Sequence, residues 1–140
     1  MKEKELQTRF TKWLKSRDAK SFFDSVGLGA VAFELKISHT HTLARSSIKE
    51  HQVLALAMAA GLDGFDVPLV HKISDSAIGY KPFDCVVLFH TAAFLVVGFN
   101  DGEDVVAIPA KELLGFWQGG GHGLTLRQAQ AMGSPLRLTP

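Results

Sequence analysis

Three observations predict a mixed α/β fold for this chain. Residues 30–37 (AVAFELKI) alternate with the two-residue period of a strand. Residues 3–17 and 48–60 on either side carry apolar positions at helical spacing. Farther on, DCVVLF and AAFLVVGF are apolar, β-rich runs of strand length. Helices interleaved with strands imply a mixed central sheet flanked by helices. The chain has 140 residues with no internal repeat or break in composition, so a single domain over 1–140 is expected.

Each element has its own signal. Leu6, Phe10, Trp13 and Leu14 fall on one helical face between Lys and Arg residues, which predicts a helix over 3–17. SFFDSVGLG (21–29) reads as turn-rich. Along 30–37, Val31, Phe33, Leu35 and Ile37 point one way, and Ala30, Ala32, Glu34 and Lys36 the other. The small alanines leave room beside the acid and the base. A polar connection follows over 38–46. Ser47, three before Glu50, reads as a capping box, and the helix it opens stops at Gly61. LVHKI is a short strand and DSAIGYKP a turn. Residues 84–89 and 92–99, split by His90 and Thr91, read as a buried hairpin of the central sheet. VVAIP is an edge strand, AKELLGFWQ a helix, GGGHG a flexible linker and LTLRQAQAMG a last short helix.

Composition narrows the function classes. A hydrophobic fraction of 46% with 21% charged residues excludes a disordered chain. Charges interrupt the apolar runs, so no membrane span is expected. The charged, amphipathic start MKEKELQTRF is unlike a signal peptide, and the expected location is the cytoplasm. The one cysteine, Cys85, excludes an intrachain disulfide and a thiolate zinc cage. His39-x-His41 lacks a third ligand for catalytic zinc, and GGGHG lacks the ending of a phosphate loop. Phe116 and Trp117 read as packing residues. The net charge of +1 hides an asymmetry: residues 1–20 hold seven Lys and Arg against three acids, a net +4, which leaves −3 for the remainder. A basic first helix suits a phosphate backbone, with Lys12, Lys15 and Arg17 as candidate contacts.

Glu34-x-Lys36 is the constellation with chemical content. Phosphodiester hydrolysis needs a divalent cation, an in-line water and charge to stabilise the transition state. Mg²⁺ takes oxygen ligands, one or two carboxylates with water and phosphate. A strand bearing Glu-x-Lys presents a carboxylate and an ammonium on one face. The carboxylate can bind metal, and the ammonium can orient the water and neutralise developing charge.

The run AFELKISHTHTLARSSIKEHQVLAL resembles the PD-(D/E)XK nuclease superfamily, and within it the small Holliday-junction resolvases of phage and bacterial type. The likeness covers about residues 3 to 99. It implies a restriction-endonuclease-like core and Mg²⁺- or Mn²⁺-dependent cleavage of DNA, with branched DNA such as Holliday junctions as the expected substrate and a homodimer as the working unit. It implies that Gln52 points toward Lys36 and the metal-bound water. It also implies an acid on the first helix, matched by Glu5 or Glu3, that supports the water network or a second metal. Glu34 would bind metal with an Asp and the Leu35 carbonyl. That Asp is Asp84, in KPFD, or Asp24, in SFFD, with Asp84 preferred and Asp75 a third candidate. The chain departs from the pattern here, because no Pro-Asp strand precedes Glu34. Two other classes remain open: a non-catalytic nucleic-acid-binding or assembly protein with a nuclease-like fold, and an unrelated α/β module that matches Glu-x-Lys by chance.

Overall fold

The computed structural model describes residues 2–26, 31–72 and 85–138. Its centre is a four-stranded mixed sheet in the order β1(Val31–Ile37), β5(Ala92–Phe99), β6(Asp104–Pro109), β8(Ser134–Leu136). β1 runs parallel to β5, with Glu34 opposite Leu95 and Lys36 opposite Val97, while β6 and β8 are antiparallel additions. A parallel pair needs a long crossover. Residues 38–91 supply it, and they contain β2(Thr42–Ala44), α3(Glu50–Ala60), β3(Leu69–Lys72) and β4(Cys85–Leu88).

Helices cover both faces of this sheet. On one face, α1(Glu3–Trp13) and α2(Arg17–Val26) bury Leu6, Phe10, Trp13 and Ala19 against Phe94, Val96, Val105 and Ala107. On the other, α3, α4(Ala110–Gln118) and α5(Leu126–Met132) bury Val53, Leu56, Leu113 and Ala129 against Leu95, Val97, Val106 and Ile108. β5 is buried along Ala93–Phe99, as an apolar run covered on both faces must be. α1 comes close enough that a Cβ on Gly98 would lie 3.2 Å from the Leu6 side chain.

Several expectations need correction. The first helix does not run through residue 17. It ends at Trp13, and α2 begins at Arg17, where the Ser16 hydroxyl accepts the Ala19 N–H. An N-terminal cap of this kind holds a helix start. Residues 21–26 are therefore helical rather than a turn. Ser47 does not cap α3. It closes a short 3-10 turn (Arg45–Ser47), and Lys49 is the cap, its N–H donating to the Gln52 side chain at 3.4 Å. Gly61 does end α3, with φ +65°.

The expected hairpin of 84–89 with 92–99 does not form. β4 pairs with β3 in a separate two-stranded ribbon. The Thr91 N–H and hydroxyl both donate to the Ala59 carbonyl at the end of α3, and His90 has φ +55°. These contacts turn the chain away from β4 before β5 enters the sheet. β6 is an inner strand, because β8 covers its far side; Pro135 in β8 fits an edge position. Residues 119–123 are held rather than loose. The Arg45 guanidinium donates to the Trp117 and Gly121 carbonyls and lies 4.1 Å over the Trp117 ring. β2 pairs with β7(Gly123–Thr125) just beyond.

Candidate active site

Among the described residues β1 is the outer strand of the main sheet, and no described strand pairs with its far edge. Its side chains sort by face as their alternation predicts. Val31, Phe33, Leu35 and Ile37 pack toward α1 and α2, while Ala32 packs toward α3. Glu34 and Lys36 share the Ala32 face. The backbone sorts too. The Ser38 N–H donates to the Gly98 carbonyl at 2.8 Å. Peptide groups alternate along a strand, so those of Lys36 and Glu34 also face β5, and the Leu35 carbonyl faces the open edge.

Gln52 stands in the first turn of α3 and reaches back to β1. Its Nε2 donates to Glu34 Oε1 at 2.9 Å, and Lys36 Nζ lies 3.7 Å from the same oxygen. Both contacts fall on Oε1, which leaves Glu34 Oε2 without a partner among the described residues. The Glu34 side chain is 32% exposed and that of Lys36 only 14%. Glu34 is open to a ligand, whereas Lys36 is largely enclosed by protein.

Two clefts meet at Glu34. The smaller, about 210 Å³, is lined by Glu3 and Gln7 of α1 with Phe33, Glu34 and Leu35. It lies at the open edge of β1, where the Leu35 carbonyl points. The larger, about 480 Å³, lies between β1, α3 and the β3–β4 ribbon. Glu34, His51 and Gln52 give it polar groups, and Ala32, Ala55, Leu56, Leu69 and Leu88 give it apolar ones.

Comparison with family models, with curated proteins and with solved structures gives no match.

The sequence-predicted residues divide clearly. Glu34, Lys36 and Gln52 come together. Glu5 does not join them: its carboxylate accepts the Lys2 N–H at 3.2 Å and so serves the start of α1. Glu3, the other acid considered, lines the cleft at Glu34. Asp24 stands on α2, and its side chain lies outside the described residues, as do Asp84 and Asp75. Lys12, Lys15 and Arg17 are exposed at the junction of α1 and α2. Nine residues separate Glu3 from Lys12, about 14 Å along the helix. His39 pairs with Asp101, and no group of three or more His, Cys, Asp or Glu side chains is gathered for a metal among the described residues. That hydrogen bond from His39 holds the Asp101 carboxyl below its ordinary range.

Sequence reasoning did not single out Gln7 and His51 as lining residues. Their spacing carried a signal. Gln7 lies four after Glu3 and shares its face, and His51 precedes Gln52 at the mouth of α3.

A divalent cation can be tested against this donor set. Mg²⁺ asks for few protein oxygens, because it keeps several waters and shares phosphate oxygens. Glu34 Oε2 has no partner among the described residues, the Leu35 carbonyl points to the same edge, and Glu3 lines the same cleft. These hard oxygens fit Mg²⁺ or Mn²⁺.

Proposed function

We propose that this chain is a metal-dependent endonuclease acting on DNA, built on a restriction-endonuclease-like core. The observation that carries the reading is the convergence of Glu34, Lys36 and Gln52 at an exposed sheet edge. Energetics support it. The Lys36 side chain is 14% exposed, and its ammonium lies 3.7 Å from Glu34 Oε1. An ion pair of that length contributes about 1 kcal/mol or less, so stability is a weak reason for a charged side chain at this position.

In this reading, Glu34 Oε2, the Leu35 carbonyl and Glu3 would hold Mg²⁺ or Mn²⁺. When bound, the cation would supply a water of lowered pKa and positive charge against the phosphate. Gln52 fixes the Glu34 carboxylate by its hydrogen bond to Oε1, leaving Oε2 turned to the ligand. Lys36 Nζ places positive charge beside that carboxylate and orients the attacking water. Lys12 at the end of α1, Lys15 in the turn after it and Arg17 at the start of α2 would grip phosphates flanking the cut. Asp84 remains the proposed second carboxylate, with Asp24 the alternative. A branched DNA substrate and a two-fold homodimer belong to the same proposal, since a four-way junction offers two symmetric strands to a symmetric enzyme.

The test is incubation of a labelled four-way junction and a matched duplex with the protein in Mg²⁺, Mn²⁺ or EDTA. Cutting in either metal and none in EDTA supports the reading. Binding without cutting in any condition transfers the protein to the non-catalytic class.

A further inference from the structure

The larger cleft is more than a phosphodiester nuclease needs. A phosphate is held by charge and hydrogen bonds, and at the small cleft a cation held by Glu34, Leu35 and Glu3 would supply that charge. The second cleft shares Phe33 and Glu34 with the small one but continues over Ala32, Ala55, Leu56, Leu69 and Leu88. Its volume of about 480 Å³ lies within the range of small-molecule sites, about 300–1,000 Å³. Water gains nothing on such an apolar floor, and phosphate oxygens would lose hydration there. The groups on the rim are suited to a flat, polar-edged ligand. Gln52 and the exposed His51, with Glu34, give the lining its polar groups.

Resting on the nuclease reading, we infer that this cleft receives one unpaired nucleobase of the DNA whose phosphate lies at Glu34. The two clefts adjoin at Glu34, so a base attached to the bound phosphate's own sugar is the nearest apolar group available to fill the second. A paired base is fixed in its stack and does not enter. An unpaired base costs little to extrude and gains apolar contact on both faces, with its hydrogen-bonding edge toward the rim. The substrate class this names is DNA with an unpaired nucleotide next to the cleavage position, which a branch point, bulge or single-strand gap supplies.

The test uses the fluorescent base 2-aminopurine and full-length protein in EDTA, so that no cutting interferes. Three duplexes are compared: one with a single unpaired 2-aminopurine, one with that base paired, and one with an abasic residue at the bulge. The wild type should bind the base-containing bulge about tenfold more tightly than either control, with a saturable fluorescence change. The abasic bulge bends as readily, so a preference for it equal to that for the base-containing bulge overturns the proposal. Ala55→Phe fills the cleft from α3, and Ala55→Leu does so with less strain on packing. Either variant that melts like wild type should bind all three duplexes alike, at the wild-type affinity for paired DNA. A full bulge preference in such a variant also overturns the proposal. A separate Mg²⁺ cleavage assay keeps the two readings apart: base-dependent binding without cutting refutes the nuclease, and cutting without base dependence refutes the base cleft.

Discussion

At the scale of residues, Glu34 and Lys36 share a face because a strand repeats every two residues, and Gln52 joins them because it opens the next helix. Replacing Lys36 by Ala should slow DNA cleavage by about 10² to 10⁴, the usual loss for a positioned base or charge. Binding should persist, and single-turnover cleavage with matched binding measurements checks both. A rate within a few-fold of wild type would remove Lys36 from the chemistry. This trio was legible in the sequence, since alternation and helix onset both leave a pattern. The choice of acid on α1 was less so, because Glu3 and Glu5 look equivalent until the buried face is known. Leu6 and Phe10 set that face; Glu3 stands three before the first and Gln7 three before the second, so both sit beside the sheet. The His39–Asp101 pair left no sequence signal, being 62 residues apart. It has a pH consequence. The Asp101 carboxyl is held below its ordinary range by the hydrogen bond from His39. A depressed folded-state pKa gives stability present above the unfolded value of about 3.9 and lost as pH falls through the folded one. An NMR titration should find the Asp101 midpoint below about 3.9 and see it rise in His39→Ala. An identical midpoint in both proteins would mean the pair does not form in solution.

At the scale of elements, the strands and helices with clean periodicity were readable: β1, α3, β5 and α4 lie close to where their patterns put them. Partnerships were not. The DCVVLF run looked as buried as AAFLVVGF, yet Val87 is 56% exposed and β5 is buried from Ala93 to Phe99. A run of apolar residues records hydrophobicity but not which strand lies beside it. β5 needs cover on both faces and takes the inner position next to β1, while β4 needs one neighbour and finds β3. The short strands β2, β7 and β8 have three residues each, too few for a period to show. The end of α3 offers a direct check. Gly61 has φ +65°, and a Cβ there would lie 2.4 Å from the His90 ring. Gly61→Ala should therefore destabilise by about 1 kcal/mol from backbone strain alone, and by more from the clash. Thermal denaturation should show a lower Tm that His90→Ala restores in part. An unchanged Tm would contradict the left-handed end of the helix and its contact with His90.

At the scale of the whole molecule, helices cover both faces of the sheet, and β1, which carries Glu34 and Lys36, is one of its two edge strands among the described residues. Among the described residues no helix is long and apolar enough to cross a membrane. The uneven charge makes sense against this layout. Exposed Lys12, Lys15 and Arg17 lie at the junction of α1 and α2, at the other end of α1 from Glu3. Changing all three to Glu should weaken DNA binding for every sequence alike and flatten its dependence on salt, because each phosphate contact releases counterions. Fluorescence anisotropy across a salt series measures this, and an unaltered slope would place the DNA elsewhere. The central claim is that Glu34 holds the cation that cuts DNA, and Glu34→Gln isolates it. The side chain keeps its shape and its contact with Gln52 but loses the charge a metal needs. The most direct measurement is single-turnover cleavage of one labelled four-way junction by wild type and Glu34→Gln in Mg²⁺ and in Mn²⁺, at protein concentrations that saturate binding of both. The account predicts metal-dependent cutting by wild type and none by the variant, with equal binding and equal melting temperature. Cleavage by Glu34→Gln at the wild-type rate would contradict it.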